Sequence, residues 1–501
     1  MTFDSLLDGA EVLSQSGSAF VKGLDYDSRR VQPGWLFLAM RGETTDGNRY
    51  IDAAIKAGAI AVVTDSASEP VREGVAWAVV PHGRRALARL SANLFKHPEN
   101  RLKLVGITGT NGKTTTAYLI ESILNAAGRK SILIGTIEYH VVGKTVAAPH
   151  TTPEALELER LFAQAVANGA TDGVMEVSSH ALAQQRVYGI PFEVAVFTNL
   201  TRDHLDFHKD FDDYFAAKKI LFEGSGTEPP PFAVINADHE YGQKLAQYAK
   251  SRSQIFSYGI DAGEFRPQNL EIGNQGSRFD VDTAAGKLAI WTPLIGRVNV
   301  YNALAAITAA LARAFSGKAI VDGIAALDHV PGRFQRIDEG QPFSVVVDYA
   351  HTDDALRNLT QVARDFVSRD GARGRVMTLF GCGGDRDTKK RPLMGEAAGK
   401  GSDFVVLTSD NPRSEDAMAI INAALPGLEA TGTPYAIEPD RRNAITLAIA
   451  EAKPGDIVLL AGKGHEDYQV TREGTQPFSD AQVARAALQA RGYGAAKAGA
   501  K

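Results

Sequence analysis

The sequence has little cysteine and no large excess of charge of one sign. Cys382 is the one cysteine in 501 residues, which excludes an intrachain disulfide framework and a thiolate zinc cluster. A lone thiol suits a reducing compartment. Lys and Arg number 54 against 59 Asp and Glu, a net charge of −5. A general nucleic-acid binder carries a basic surplus, so that class is set aside. Long apolar runs are also missing. The most apolar helical stretch, Ala303 to Phe315, is broken by Thr308 and Arg313 and is too short to cross a bilayer. No Lys or Arg precedes Lys22, and MTFDSLLDGAEVLSQ lacks the apolar core of a secretory leader. What remains, 44% hydrophobic and 23% charged, is the composition of a soluble globular protein, expected in the cytoplasm.

At roughly 150 residues per domain the length suggests about three domains. From about Asp25 to Val80, short apolar runs alternate with turns, as in a small α/β module. A helix follows over Arg84 to Lys96, with Leu87, Leu90, Leu94 and Phe95 at near-helical spacing, and Pro98 stops it. The first domain is therefore placed at 1–97. The run LKLVGIT (102–108) reads as a buried strand, followed by a glycine-rich loop and a helix from about Lys113. Further strand candidates are SILIGT, DGVMEVSS, VAVFTNL and FAVINAD, the pattern of a mostly parallel sheet with helices on both faces. A Pro-Gly break in VPGRFQRID ends this second domain, 98–331. The third, 332–501, repeats the pattern with SVVVDYA, RVMTLFG, DFVVLTS and DIVLLAG. Helices are expected at Asp353–Arg369 and Ser414–Leu428, and the low-complexity tail GYGAAKAGAK is expected to fray. The fold class is α/β, with a Rossmann-like third domain.

The segment GITGTNGKTTT (106–116) lies between a strand and a helix. Glycines let backbone N–H groups curl around phosphate oxygens, the helix N-terminus favours an anion, Lys113 adds a cation and the Thr114 hydroxyl can reach Mg²⁺. The common eight-residue spacing is not met, because Ile107 stands where its first glycine belongs. Gly109, Gly112, Lys113 and Thr114 form a shorter variant. The loop implies a nucleoside triphosphate without separating kinase, GTPase, transporter ATPase and ligase.

Glu176 ends a strand and could hold Mg²⁺ or simply close the strand. His204 and His208 are four apart, but Leu205 stands where a zinc hydrolase has its glutamate. In YFAAKKILF, periodicity makes both Lys218 and Lys219 solvent-facing. Each strand of the third domain runs into a polar or glycine-rich loop: Asp348 to His351, Gly381 to Asp387, Asp410 to Arg413, and Gly462 to Glu466. In a parallel sheet these loops share one edge, where α/β proteins bind ligands. Arg413 offers a fork for a carboxylate or phosphate and Glu466 an acceptor for an ammonium, which together suggest a zwitterionic ligand.

These motifs, with DSRRVQPGWLFLAMRG, HTTPE, MEVSSHAL, TNLTRDHLDFH, LIGRVNVYNALAA, DYAHTDDAL, GCGGDRDTKKRPLM, DNPR and GKGHEDYQ, resemble in order those of the Mur ligases of peptidoglycan synthesis, in particular the ligases that add diaminopimelate. The resemblance covers nearly the whole chain. It implies a uridine-nucleotide-binding first domain, with Tyr26 and Ser28 as contacts. It implies ATP at Gly109, Thr110, Asn111, Gly112, Lys113, Thr114 and Thr115, with Asn302, Arg333 and Asp348 as further nucleotide contacts. Thr151, Thr152, Ser178, Gln184 and Arg186 match residues that hold the UDP-MurNAc-dipeptide. Glu176 and His204, with Thr114, match Mg²⁺ ligands. Lys218 matches a lysine carbamylated by CO₂, a further metal ligand. Lys113, Glu176, His204 and Lys218 are thus the implied catalytic set. Arg391, Asp410, Asn411, Pro412, Arg413, Gly462 and Glu466 match the diaminopimelate pocket. His150 departs from the asparagine that relatives often carry before the Thr-Thr pair. The implied reaction is ATP-dependent amide formation between UDP-MurNAc-L-Ala-D-Glu and meso-2,6-diaminopimelate through an acyl phosphate. A monomer is expected, with no nucleic acid and no membrane insertion. The nearest rival adds L-lysine instead. An ATPase driving a partner's motion would hydrolyse ATP without amino-acid dependence.

Overall fold

A computed structural model describes residues 1–43, 45–273, 275–368 and 374–494. Its strands fall into three main sheets. The first runs Ser14–Ser16, Ala76–Val79, Ala61–Thr64, Leu36–Ala39, Leu24–Asp25, parallel except for the first strand. The helix Gly83–Phe95 packs on it through Ala86, Leu87 and Leu90. Lys96 and His97 then adopt left-handed conformations ahead of Pro98, so the chain leaves the helix sharply.

The central sheet runs Gln254–Tyr258, Phe232–Asn236, Phe192–Phe197, Lys103–Thr108, Asp172–Glu176, Ser131–Ile134, Glu138–Val141, Lys144–Ala147. Its first six strands are parallel, and the last two form an antiparallel hairpin at the edge. Strands buried on both faces must be apolar nearly throughout, which is why LKLVGIT and VAVF read as strands. One face carries Lys113–Ala126 and Arg297–Ala312, the other Ala155–Ala167 and Phe211–Glu223, each over its own apolar cluster. An antiparallel sheet, Pro267–Gly273, Gly276–Thr283, Gly286–Thr292, is appended to this unit.

The third sheet runs Gln335–Ile337, Ser344–Asp348, Ile457–Ala461, Val376–Phe380, Phe404–Leu407, Tyr435–Ile437, parallel apart from the first strand. Helix Asp353–Val367 is close to its expected span, whose last residue, Arg369, lies outside the described residues. The next expected helix begins later, at Ala417, because Asp416 caps it. An antiparallel hairpin, Tyr468–Thr471 with Gly474–Pro477, follows the last parallel strand. Most of the low-complexity tail, residues 495–501, lies outside the described residues. Among the described residues no helix is long and apolar enough to cross a membrane.

Candidate active site

The loop 109–112 turns from the strand Lys103–Thr108 into the helix Lys113–Ala126 at the carboxyl edge of the central sheet. Two of its glycines are obligatory. Gly109 has φ +149° and a Cβ there would lie 1.9 Å from Thr198 Oγ1; Gly112 has φ +88° and its Cβ would lie 2.4 Å from Asn302 Oδ1. The loop is pinned from below: Asn111 N donates to Asn199 Oδ1 at 2.9 Å, and Thr198 Oγ1 donates to the Asn111 carbonyl at 2.7 Å. Lys113 Nζ folds back to donate to the carbonyls of Gly109 (3.0 Å) and Thr110 (2.9 Å). Burial pulls its ammonium below the usual lysine value, against the opposing pull of Glu176 and Asp203.

Lys218 is not solvent-facing. It is 2% exposed, and Nζ donates to the Gly109 carbonyl at 2.8 Å and sits 4.4 Å from the centre of the Tyr214 ring. The neighbouring Lys219 is the outer one and pairs with Glu223 at 3.1 Å. Periodicity failed for Lys218 because the helix Phe211–Glu223 is covered on that side by the phosphate loop. Burial, then the nearby Lys113 cation, holds the Lys218 amine well below the usual lysine value.

Glu176 is fully buried. Its Oε1 accepts from Thr136 N at 2.8 Å and its Oε2 from Thr136 Oγ1 at 3.0 Å. No ion pair compensates it among the described residues, and each oxygen retains a lone pair for a cation. His204, at φ +54°, stacks edge-on against His180 with ring centres 4.7 Å apart. Burial at the cleft floor pushes its imidazole down to about 3 against the attraction of Asp203, with His180, Lys218 and Lys113 adding repulsion, although 40% of the side chain remains open. Asp203 beside it is held well below the usual carboxylate range: burial opposes ionisation, and His204, His351 and Lys390 outweigh it. Among the described residues no three His, Cys, Asp or Glu side chains gather into a metal cage. Mg²⁺ does not need one, since it binds through one or two carboxylates, waters and substrate phosphates. The donor set Thr114, Glu176 and His204 fits such a shared site.

A cleft of about 530 Å³ opens over Lys113, Glu176, Asp203 and His204; Gly109 and Lys218 do not line it. From the central unit it takes Thr110, Asn111, Gly112, Lys113, Thr114, Thr115, Thr151, Thr152, Glu176, Ser178, Arg186, His204 and Asn302, and from the third unit Arg333 and Asp348. Arg333 Nη2 donates to Thr114 Oγ1 at 3.2 Å, and its guanidinium lies over the Tyr349 ring at 4.6 Å. Asp348 accepts from the backbone N–H groups of Phe334 (2.7 Å) and Ala350 (2.8 Å); burial raises its carboxyl, offset in part by Arg333. Other polar links between the units include Asn111 Nδ2 to Asp354 Oδ2 at 3.0 Å and Arg202 Nη2 to Asp387 Oδ2 at 3.3 Å, besides those of Asp203 to His351 and Lys390.

Arg186 organises the dipeptide candidates. It donates to the Thr152 carbonyl at 2.8 Å and to Gln184 Oε1 at 3.0 Å, and it pairs with Glu154 at 3.0 Å. Ser178 caps the helix Ser179–Ala183, its N–H donating to Thr152 Oγ1 at 3.1 Å. His150 lines the cleft, and its carbonyl accepts from the Tyr139 hydroxyl. Tyr26 and Ser28 stand outside the cleft, just beyond the strand Leu24–Asp25. The Tyr26 hydroxyl donates to Glu157 Oε2 at 3.2 Å, and Arg30 lies over its ring.

The third unit's loops meet at one sheet edge, as the strand pattern predicts. Gly462 N donates to the Asp348 carbonyl at 3.0 Å and Gly384 N to the Asn411 carbonyl at 2.9 Å. Asn411 Nδ2 donates to Glu466 Oε2 at 2.9 Å. Arg413 Nη1 donates to the Gly384 carbonyl at 2.7 Å. Arg391, 3% exposed, pairs with Glu415 at 2.8 Å.

Family patterns match along the chain: the Mur ligase family catalytic domain at 20–94, the Mur ligase middle domain at 107–310, and the Mur ligase glutamate ligase domain at 332–464. A curated relative from Solibacter usitatus is 53% identical over 474 residues, 94% of each chain. The chain belongs to the Mur ligase family. The Solibacter relative is named UDP-N-acetylmuramoyl-L-alanyl-D-glutamate–2,6-diaminopimelate ligase, as is one from Geobacter metallireducens, 44% identical over 94% of each chain. A solved structure of a ligase with that name shares 33% identity and a TM-score of 0.67, covering 98% of this chain and 99% of that one. A Mycobacterium tuberculosis folylpolyglutamate synthase bound to ADP, 19% identical with a TM-score of 0.62 over 75% of this chain, shares the fold alone.

In this Mur ligase, sequence reasoning missed Thr136, which clamps Glu176, and Lys463, which holds Asn411 and Glu466. A weak signal existed for both. Gly135-Thr136 and Gly462-Lys463-Gly464 each follow a parallel strand, at the edge where ligands bind.

Proposed function

We propose that this Mur ligase joins meso-2,6-diaminopimelate to the D-Glu of UDP-MurNAc-L-Ala-D-Glu, with ATP as the driving co-substrate, as a monomer in the cytoplasm. One observation carries the ligase reading: the phosphate loop, the buried Glu176 carboxylate and the third unit's Arg333 and Asp348 share a single cleft. The named relatives and the loop Asp410–Arg413 beside Glu466 support diaminopimelate as the incoming amine.

ATP lies along loop 109–115, where backbone N–H groups and the helix N-terminus receive its phosphates. Lys113 exchanges loop carbonyls for phosphate oxygens and stabilises charge on the transferring group. Asn302, Arg333 and Asp348 hold the remainder of the nucleotide. Thr114, Glu176 and His204 are the residues that would hold Mg²⁺, which supplies charge neutralisation at the phosphates. The UDP-dipeptide spans Tyr26 and Ser28 in the first unit and Thr151, Thr152, Ser178, Gln184 and Arg186 in the second. Its γ-carboxylate attacks the γ-phosphorus, ADP leaves and an acyl phosphate forms. The amine of diaminopimelate, held by Arg391, the loop Asp410–Arg413, Gly462 and Glu466, attacks the acyl carbon, releasing phosphate and a proton. Closure of the third unit over the cleft excludes water.

Lys218 is carbamylated in this reading. CO₂ adds to an unprotonated amine with loss of a proton, and burial favours that form. The carbamate replaces a neutral amine beside Lys113 with an anion able to serve Mg²⁺. Phosphate release measured with the UDP-dipeptide and a panel of amino acids tests the whole reading. Release that depends on diaminopimelate is expected. ATP hydrolysis indifferent to every amino acid would overturn it.

A further inference from the structure

Lys463 is fully buried, in the loop that leaves the strand Ile457–Ala461. Its Nζ donates to Glu466 Oε2 at 2.9 Å and to Asn411 Oδ1 at 3.1 Å. Asn411 Oδ1 also accepts the Val470 N–H at 2.9 Å. Two donors on that oxygen fix the orientation of the amide: a flip would set its NH₂ against an ammonium and an N–H. The NH₂ is therefore committed to the Glu466 side, where it donates to the same Oε2 that Lys463 occupies. Glu466 Oε1 takes no hydrogen bond among the described residues. The Glu466 carboxylate, in a loop at the third unit's ligand edge, is thus half-engaged by a cation of the protein itself.

This has a chemical consequence that rests on the function proposed above. The distal end of diaminopimelate carries an ammonium and a carboxylate; that of L-lysine carries an ammonium alone. A bare ammonium arriving at Glu466 meets the Lys463 charge behind it, and with Lys463 fully buried and the Glu466 side chain only 14% exposed that repulsion is poorly screened. A zwitterionic end escapes the penalty, because its carboxylate balances the cation and finds the Asn411 NH₂ and the Arg413 fork. We propose that Lys463 is a positioning and specificity-determining residue, which fixes Asn411 and Glu466 and rejects L-lysine by charge. Rejection of this kind works against the competitor as well as for the favoured ligand.

The test compares wild type with Lys463→Met and Lys463→Gln, using phosphate release with saturating ATP and UDP-dipeptide and either meso-diaminopimelate or L-lysine. Lys463→Gln keeps a donor without the charge, so it guards against a Met variant that fails to fold. The expected result is a KM for diaminopimelate raised about tenfold in Lys463→Met, with KM for ATP and dipeptide unchanged. The ratio of L-lysine to diaminopimelate kcat/KM should rise at least tenfold in both variants, about 1.4 kcal/mol. A merely structural lysine would depress both amino acids equally. An unchanged ratio in variants of a diaminopimelate-selective wild type overturns this inference and leaves the proposed function standing. A wild type that favours neither amino acid overturns the proposed function and this inference with it.

Discussion

Arg413 is a test of the third unit's role that can be worked from the geometry. The residue is half-buried at φ +53°, in the left-handed region where a side chain with a Cβ costs roughly 1–2 kcal/mol. Its Nη1 is spent on the Gly384 carbonyl at 2.7 Å, which leaves Nε and Nη2 as a pair of parallel donors for a substrate carboxylate. Charge-assisted hydrogen bonds contribute about 1.5–3 kcal/mol each. Taking the low end for two bonds gives about 3 kcal/mol, or roughly a hundredfold. Arg413→Ala should therefore raise the KM for diaminopimelate by roughly that factor in a phosphate-release assay, with KM for ATP and UDP-dipeptide nearly unchanged. Arg413→Gly should lose the same activity while melting within a few degrees of wild type. Relief of the left-handed strain offsets the lost Gly384 bond and the greater freedom of glycine in the unfolded chain. Equal loss of affinity for all three substrates would refute the reasoning and reduce Arg413 to a brace for its loop.

Lys113→Ala should abolish ligation, because the β- and γ-phosphates lose their cation; turnover within tenfold of wild type would remove the phosphate-loop assignment. Intact mass of freshly purified protein should show one added CO₂, absent from Lys218→Ala, and bicarbonate should not restore the activity of that variant. An active, unmodified lysine would contradict this. His140 sits between Glu121 (2.7 Å) and Glu138 (2.9 Å), and the hydrogen bond it donates to Glu121, opposed by burial, raises its imidazole to about 9. A raised folded-state value means that the triad's stabilisation is complete below the unfolded imidazole's pKa of roughly 6.5 and is lost as pH rises through about 9. Melting temperature should accordingly decline across that window, and His140→Gln should flatten this part of the profile.

The parallel sheets were legible because their strands are buried on both faces and so must be written in unbroken apolar runs, as in Ile457–Ala461. The antiparallel additions were not. Lys144–Ala147 is exposed along its length, and Gly276–Thr283 carries only the alternation of Phe279 and Val281 against polar neighbours. The phosphate loop is a local signal, since its glycines answer to close approaches that any such loop must make. Lys218 and Lys463 are the opposite case. Each lysine is buried by a partner distant in sequence, Gly109 for one and Asn411 for the other, and helical or strand periodicity carries no trace of that. Family resemblance supplied Lys218. For Lys463 the local pattern gave only its place in a glycine-flanked loop after a parallel strand, not its burial or its partners.

The central claim is that ATP activates the D-Glu γ-carboxylate for attack by an amine. Its most direct test is the fate of a heavy-oxygen label in that carboxylate. The UDP-dipeptide is labelled at the γ-carboxylate and turned over with ATP and meso-diaminopimelate, and released phosphate and product are read by mass spectrometry. The account predicts one labelled oxygen in each phosphate and one retained in the new amide. Unlabelled phosphate would show that ATP is cleaved without passing through the carboxylate, and would contradict it.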